Sequence, residues 1–157
     1  MSYKILTLGE KEEWAKSLEK LPIDQQDIYY TPEYYALYEK NGDGQAICFV
    51  FEKDKDIALY PFLINSVNDL GYELDDEYFD IQGAYGYNGV VSSSSSQLFR
   101  VDFSHSFIKY CHENKIIAEF TRFNPILKNQ VFSQYLSVNK MNNNIIVDLT
   151  YSEDDIW

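Results

Sequence analysis

The chain has 157 residues, 45% of them hydrophobic and 17% aromatic, and it carries a formal net charge of −12. This length and composition predict a single domain with a large core and exclude disorder for the bulk of the chain. Because six of the twelve residues at positions 69–80 are acidic, the chain would repel a phosphate backbone, which excludes direct binding to DNA or RNA.

The sequence predicts a cytoplasmic chain without a transmembrane segment, because no apolar run approaches the length of a membrane span and the amino terminus lacks a signal peptide. Cys48 lies in a strand-like run and Cys111 in a helix-like run. Without a Cys-x-x-Cys spacing, both are expected to be free and mostly buried. His105 and His112 lie two helical turns apart, too far to bind one ion together, so no metal site is expected.

The amino-terminal part predicts a strand followed by two helices. Residues 3–8 alternate as in a strand, and residues 10–21 place apolar side chains at helical spacing. Thr31 as the cap and Pro32 at the first helical position predict a second helix, which should end at Asn41 before a glycine.

A hairpin is predicted next. Apolar runs at 45–52 and 56–64 are joined by a short charged turn, which is typical of two antiparallel strands. Pro61 lacks a backbone N–H, and it therefore indicates that the second strand is bulged or lies at a sheet edge.

The carboxyl-terminal part predicts a crossover unit. A strand at 77–81, a glycine-rich loop, a helix at 97–114 and a strand at 116–123 follow one another, with the five serines at 92–96 as helix caps. Such a unit places its two strands parallel, with ligand contacts at the carboxyl end of the first. A short helix within 124–135 and a last strand at 144–149 complete the prediction.

The loop contains Gly83-x-x-Gly86-x-x-Gly89, and glycines in this position have two interpretations. They let backbone N–H groups approach an anion or a sugar closely, or they are needed only for the chain to turn. The spacing matches neither the dinucleotide-binding pattern nor the phosphate loop that ends in Gly-Lys-Ser/Thr.

The order of these elements, and some of the residues themselves, resemble a known family. The run Tyr78-Phe-Asp-Ile-Gln-Gly-Ala-Tyr-Gly-Tyr-Asn-Gly89 precedes a helix and the run Glu119-Phe-Thr-Arg-Phe-Asn-Pro125. Over nearly the whole chain, this arrangement is similar to the first domain of Fem-type peptidoglycan-bridge aminoacyltransferases and related two-domain proteins of the GNAT acyltransferase superfamily. The residues that match the family's Tyr-Gly-Tyr-x-Gly and Arg-Phe-x-Pro pattern are Tyr85, Gly86, Tyr87, Gly89, Arg122, Phe123 and Pro125.

The resemblance implies an α/β fold with a GNAT-like mixed, partly antiparallel sheet flanked by helices. It also implies two such domains side by side, with an amine acceptor such as a peptidoglycan precursor peptide bound in a cleft. The donor in the complete protein would be acyl-CoA or an aminoacyl-tRNA, used largely by the second domain. Residues 82–87 depart from the pyrophosphate loop of acetyl-CoA enzymes in the position of their glycines, so no cofactor is expected in this domain.

The end of the chain is interpreted as the start of a second domain. Ser152 followed by three acidic residues is typical of a helix amino terminus, whose buried face would begin with Ile156 and Trp157. We therefore expect a GNAT-like domain at 1–150, the start of the next domain at 151–157, and the missing carboxyl-terminal domain as the partner. The fragment alone is expected to be inactive.

The candidate substrate-binding residues lie in the glycine loop and after the last long strand. Arg122 could pair with a phosphate or a peptide carboxylate, or with one of the chain's own acidic residues. Tyr85 and Tyr87 could stack on a sugar or only cover the loop. Asn124 could contact the ligand or start a turn. Two further carboxylates, Glu119 and Asp80, could act as general bases if they faced the cleft, but no catalytic residue is assigned.

Three functions are compatible with these observations. The first is the amino-terminal half of an acyl or aminoacyl transferase that acts on an amine acceptor, such as a peptidoglycan precursor or another cell-envelope component. The second is a non-catalytic GNAT-like domain that binds a peptide, a sugar or a protein. The third is a stand-alone N-acetyltransferase.

Overall fold

The computed structural model describes residues 2–156. Its strands are β1 (Ser2–Thr7), β2 (Gln45–Lys53), β3 (Asp56–Ser66), β4 (Phe79–Gln82), β5 (Val91–Ser92) and β6 (Ile116–Phe120). Its helices are α1 (Lys11–Glu19), α2 (Pro32–Asn41), α3 (Gln97–Glu113) and the short α4 (Glu153–Ile156). Short 3₁₀ turns join several of them, including Asn129–Phe132, which lies where the short helix after β6 was predicted.

The six strands form one mixed sheet in the order β1-β2-β3-β4-β6, with β5 paired to β3. All pairs are antiparallel except β4 and β6, which are parallel. The predicted crossover through α3 is therefore confirmed. So is the predicted fold class, since a mostly antiparallel mixed sheet flanked by helices is consistent with the GNAT-like arrangement.

Each face of the sheet has its own core because side chains alternate along the strands. On one face, Cys48 and Val50 of β2 pack in a cluster with Trp14 of α1 and Tyr35 of α2. On the other face, Phe49 and Phe51 pack against α3 in a largely aromatic cluster. The residues of α3 in this second cluster are Phe99, Phe103, Phe107, Tyr110 and Cys111. Helices therefore cover both faces, α1 and α2 on one and α3 on the other.

The helix ends agree with the capping signals. The Thr31 side chain accepts a hydrogen bond from the Tyr34 backbone N–H, and α2 ends at Gly42, whose φ of +91° suits glycine. The last of the five serines, Ser96, caps α3 by accepting from the Phe99 N–H.

Pro61 lies in a central strand, so the edge interpretation of this residue is wrong. On one side, residues 56–64 of β3 pair with β2 without a break. On the other side, it pairs with β5 at 58–59 and with β4 at 63–66. Between these two pairings, residues 60–62 face the eight residues 83–90, which leave the ladder as one large bulge. The register with β2 is continuous through Pro61, so β3 is not bulged there either. Pro61 is tolerated because the chain opposite it has left the sheet, and no strand on that side needs its missing N–H.

The predicted strand at 144–149 is also wrong for this structure, which contains no strand there. The apolar side chains project into solvent, with Ile145 95% exposed and Leu149 83% exposed. A strand-forming pattern makes a strand only when a neighbouring strand pairs with it. Immediately afterwards, α4 begins after Ser152 as predicted, while Trp157 lies outside the described residues.

Residues 2–156 contain no helix long and apolar enough to cross a membrane.

Candidate functional site

A cleft of about 380 Å³ lies at the carboxyl ends of the parallel strands β4 and β6. Its walls are the second half of α2 with the turn that follows it, the first part of the glycine loop, and the residues at the end of β6. This is where the crossover topology predicted ligand contacts.

The bulge at residues 83–90 needs glycine because the backbone approaches other groups closely. A Cβ on Gly86, which has a φ of +102°, would lie 2.4 Å from Tyr29 Cε1. A Cβ on Gly83 would lie 2.4 Å from Asn88 Nδ2. Gly89 has a φ of +100° and lies against Asn129. Turning and close packing therefore account for all three glycines without a ligand.

A cluster of tyrosines holds the bulge against α2. The Tyr34 hydroxyl donates to the Tyr85 carbonyl at 2.6 Å and lies 3.2 Å from the Tyr38 hydroxyl. Burial raises the pKa of Tyr34, and its contact with Tyr38 raises it further, so this hydroxyl stays protonated as a donor. Tyr29 packs edge-on against both Tyr34 and Tyr87.

The two candidate loop tyrosines therefore lie in different environments. Tyr87 is half-buried against Tyr29 and covers the loop. Tyr85 has its backbone fixed by Tyr34, but its side chain is 75% exposed at the cleft. Only Tyr85 is free to stack on a ligand.

Arg122 lines the cleft and is exposed. Its backbone carbonyl accepts a hydrogen bond from the Asn88 N–H at 2.7 Å, which ties the residue to the glycine loop. Its guanidinium pairs with no carboxylate of the described residues: the five ion pairs among them all use lysines. In a chain with 25 acidic residues, a guanidinium left free in a cleft can accept an external anion in two-pronged geometry.

Asn124 does not line the cleft. It is 3% exposed, and its side-chain oxygen accepts hydrogen bonds from the backbone N–H groups of Ile126 and Leu127. Its own N–H donates to Asn129 Oδ1. The structure thus places Asn124 in the turn after β6, in the structural role that was the alternative to ligand binding.

The two carboxylates considered as general bases do not meet in the cleft. Glu119 is paired in register with Ile81, and both side chains lie on the α3 face of the sheet, opposite the cleft. The Tyr60 hydroxyl donates to Glu119 Oε1 at 2.5 Å, and burial raises the pKa of the carboxyl group. Asp80 is outside the residues that line the cleft.

Several lining residues were not predicted from the sequence. Phe120 is 68% exposed and lies opposite Gln82 in the β4–β6 register, so both side chains border the cleft. Strand alternation predicts this position. Gln82 and Phe120 each follow a residue of the α3 face, Ile81 and Glu119, so their side chains point to the opposite face, where the cleft lies. Tyr38 and Asp43 also line the cleft, from α2 and from the turn after it, and no local sequence signal indicates this.

Asn88 is a further unpredicted residue. It is 1% exposed, its side-chain oxygen accepts from the Tyr35 hydroxyl at 3.3 Å, and its Nδ2 has no partner among the described residues. The Tyr35 hydroxyl has one proton and also donates to the Pro61 carbonyl at 2.9 Å. Either orientation of the amide thus leaves one terminal atom unsatisfied beside Gly83 at the cleft.

The other reactive groups lie outside the cleft. Cys48 and Cys111 are free thiols, as predicted. Burial raises both thiol pKa values, that of Cys111 to about 12, so both groups stay protonated and unreactive. Within the described part of the chain, no group of three or more His, Cys, Asp or Glu residues is placed to hold a metal ion.

No protein-family model matches the chain. No curated protein matches it either. A solved structure that does match is that of a point mutant of the BH1408 protein from Bacillus halodurans, which is 12% identical. The match covers 95% of this chain and 99% of that one, with a TM-score of 0.44.

Proposed function

We propose that this chain is the acceptor-binding domain of an acyl or aminoacyl transferase, and that the acceptor lies in the cleft at the ends of β4 and β6. The acceptor would be an amine that also carries an anionic group, such as a peptidoglycan precursor peptide or another cell-envelope component in the cytoplasm. The donor, acyl-CoA or an aminoacyl-tRNA, would be handled largely by a second domain.

The observation that carries the proposal is the Arg122 guanidinium, which pairs with no carboxylate among the described residues and lies in a cleft with exposed aromatic rings. Tyr85 and Phe120 offer flat apolar faces, and Arg122 offers two parallel N–H donors for a carboxylate or a phosphate. Such a site holds an acceptor in position, and positioning is what the attack of an amine on an activated ester or thioester requires.

The small number of carboxylates near the cleft agrees with a role in binding. Glu119 lies on the other face of the sheet, and the only carboxylate that lines the cleft among the described residues is Asp43. The second candidate function, a non-catalytic domain for a peptide, sugar or protein, rests on the same observation. A stand-alone N-acetyltransferase would in addition need a CoA site.

The proposal is tested by NMR titration of the 157-residue chain with three probes. These are a soluble peptidoglycan stem peptide, the same peptide with its carboxylates amidated, and acetyl-CoA. We expect the stem peptide to shift the resonances of Tyr85 and Phe120, and the amidated form to bind much more weakly. Arg122→Gln should weaken binding of the stem peptide about tenfold, which corresponds to ~1.4 kcal/mol for a charge-assisted pair.

The matched control is Lys55→Gln, which removes one positive charge from an exposed residue at the hairpin turn, far from the cleft. It should leave binding unchanged. Equal losses in both variants would indicate general charge attraction and contradict the site. Binding of acetyl-CoA in the cleft would favour the stand-alone acetyltransferase, and failure of all three probes to bind would reject the proposed acceptor.

A further inference from the structure

The outer edge of β6 is a free edge of the sheet. The strand order ends at β6, whose neighbour on the other side is β4. Two of its apolar side chains are exposed: Ile117 at 60%, beside the irregularity in the β4–β6 register, and Phe120 at 68%, which also borders the cleft. An edge with open N–H and C=O groups and exposed apolar side chains is a template for another strand.

The same chain carries a segment with the properties of an unpaired strand. Residues 144–149 read Asn-Ile-Ile-Val-Asp-Leu, and the β-branched residues Ile145, Ile146 and Val147 are 95%, 61% and 55% exposed. The backbone of residues 137–147 forms no hydrogen bond with any described residue. Consecutive exposed β-branched residues with an unpaired backbone indicate a strand without its partner.

Local charge permits the two surfaces to meet in spite of the net charge of −12. The segment 144–149 contains one charged residue, Asp148, and β6 contains one, Glu119. The Glu119 carboxyl group is turned onto the α3 face, where Tyr60 donates to it. More distant charges are screened beyond about 10 Å at 0.1 M salt.

We propose that the segment 144–149 of one copy of this chain adds as a strand to the β6 edge of a second copy. Each copy carries both the edge and the strand, so a reciprocal exchange forms a closed two-fold dimer with two such pairings. The structure favours a second copy as the partner because each molecule leaves its own β6 edge open while its own segment stays in solvent. The proposal does not depend on the function of the cleft.

The first test is the mass of the 157-residue chain in solution, measured by light scattering from micromolar to millimolar concentration, with amide hydrogen exchange at both limits. We expect dimers at high concentration, with at least tenfold slower exchange at residues 116–120 and 144–149. A monomer in which both stretches are protected would mean that the segment pairs with its own edge. A monomer with neither stretch protected would mean that no pairing occurs. Either monomer overturns the proposal.

Two variants test the added strand and the accepting edge separately. Ile146→Pro removes a donor from the added strand, and Ile117→Lys places a charge on the accepting edge. Each variant alone should be monomeric. An equimolar mixture should form a weaker dimer held by one of the two pairings, because the intact strand of the Ile117→Lys chain fits the intact edge of the Ile146→Pro chain.

The matched controls are Val138→Pro and Met141→Lys, at exposed positions outside the segment. Both should dimerise like the unmodified chain. Loss of dimers in either control, or failure of the mixture to recover them, would contradict strand exchange.

Discussion

The contribution of Glu119 to the stability of the fold depends on pH. The carboxyl group is largely enclosed beneath α3, and it accepts hydrogen bonds from Tyr60 at 2.5 Å and Thr121 at 3.1 Å. Burial opposes ionisation more than these donors favour it, so the pKa lies above its usual value of 4.5. A carboxyl group with a raised pKa in the folded state holds its proton longer than in the unfolded chain. It therefore supports folding at low pH, and this support is lost as pH rises from 4.5 through the raised pKa.

Glu119→Gln should therefore become relatively more stable than the unmodified chain as pH rises from about 4 to 7, since glutamine keeps the acceptor oxygen and does not ionise. Urea unfolding at both pH values measures the difference. Glu52→Gln is the control of opposite sign, because Lys20 lowers the pKa of Glu52. Its loss of stability should be larger at pH 7 and fade as pH falls. A Glu119→Gln effect that is the same at both pH values would contradict the raised pKa.

Gly86 and Gly71 allow the effect of backbone strain to be separated from that of close packing. Both have positive φ, +102° and +87°, but a Cβ at Gly71 would meet nothing within 4 Å. Gly71→Ala should therefore destabilise the fold by only about 1 kcal/mol. Gly86→Ala should destabilise it by about 2–4 kcal/mol, because the methyl group also displaces the Tyr29 ring. Equal losses in urea unfolding would mean that the Tyr29 ring yields freely.

At the scale of elements, local signals predicted the structure well wherever one element's own residues determine it. Thr31, Pro32 and Gly42 define both ends of α2, and alternating apolar residues define the hairpin. The crossover was predictable from chain order, because two strands joined by a helix usually lie parallel in one sheet, with the helix packed on one face. The failures at Pro61 and at 144–149 concern partners, since whether a strand is central or unpaired depends on what lies beside it.

The cleft was predictable in place but only partly in composition. Arg122 and Tyr85 follow from the glycine loop and the end of β6, and both line the cleft. Tyr38 and Asp43 come from α2 and the turn after it, more than forty positions earlier in the chain. Their presence depends on how α2 packs over the sheet, which no local pattern encodes.

Tyr35 joins α2 to the bulge, and this connection can be tested. It is fully buried, and its hydroxyl reaches the Pro61 carbonyl and the Asn88 side chain. Tyr35→Phe should destabilise the fold by about 1–3 kcal/mol, because it removes the single proton that the hydroxyl donates to the buried Pro61 carbonyl or to Asn88. Tyr85→Phe is the matched control. Because the Tyr85 side chain is exposed, loss of its hydroxyl should change the free energy of unfolding by less than about 0.5 kcal/mol. Thermal unfolding of both variants measures the difference, and a neutral Tyr35→Phe would show that water replaces the lost donor.

At the scale of the molecule, charge opposes compactness. The ion pairs among the described residues lie at the surface or are half-exposed, and such pairs contribute little. The net charge of −12 and the acidic stretch at 69–80 repel one another, and this repulsion is stronger in the compact folded chain than in the unfolded chain.

Added salt should therefore stabilise this protein. We expect the melting temperature to rise by several degrees between 10 and 300 mM NaCl, as screening reduces the repulsion (ΔΔG about 1 kcal/mol). The triple variant Glu73→Gln, Asp75→Asn, Glu77→Gln carries less negative charge, so salt should raise its melting temperature by less. Replacing three exposed uncharged residues, Gln97, Asn142 and Asn143, by Ser provides the control, in which the rise should persist. A melting temperature that falls with salt would mean that the surface ion pairs outweigh the repulsion.

The large bulge opposite Pro61 has a consequence for how this fold can change over time. Its two ends are fixed in one ladder, Gln82 opposite Leu63 and Val91 opposite Leu59. Residues gained or lost between these two pairs leave the register of both flanking strands intact. Within the bulge, change is best tolerated at Tyr85, whose side chain is 75% exposed, because Ala84, Asn88 and Val90 are buried. A scaffold of this kind can acquire new ligands by substitution at this one position of the bulge, while the rest of its sheet stays as it is.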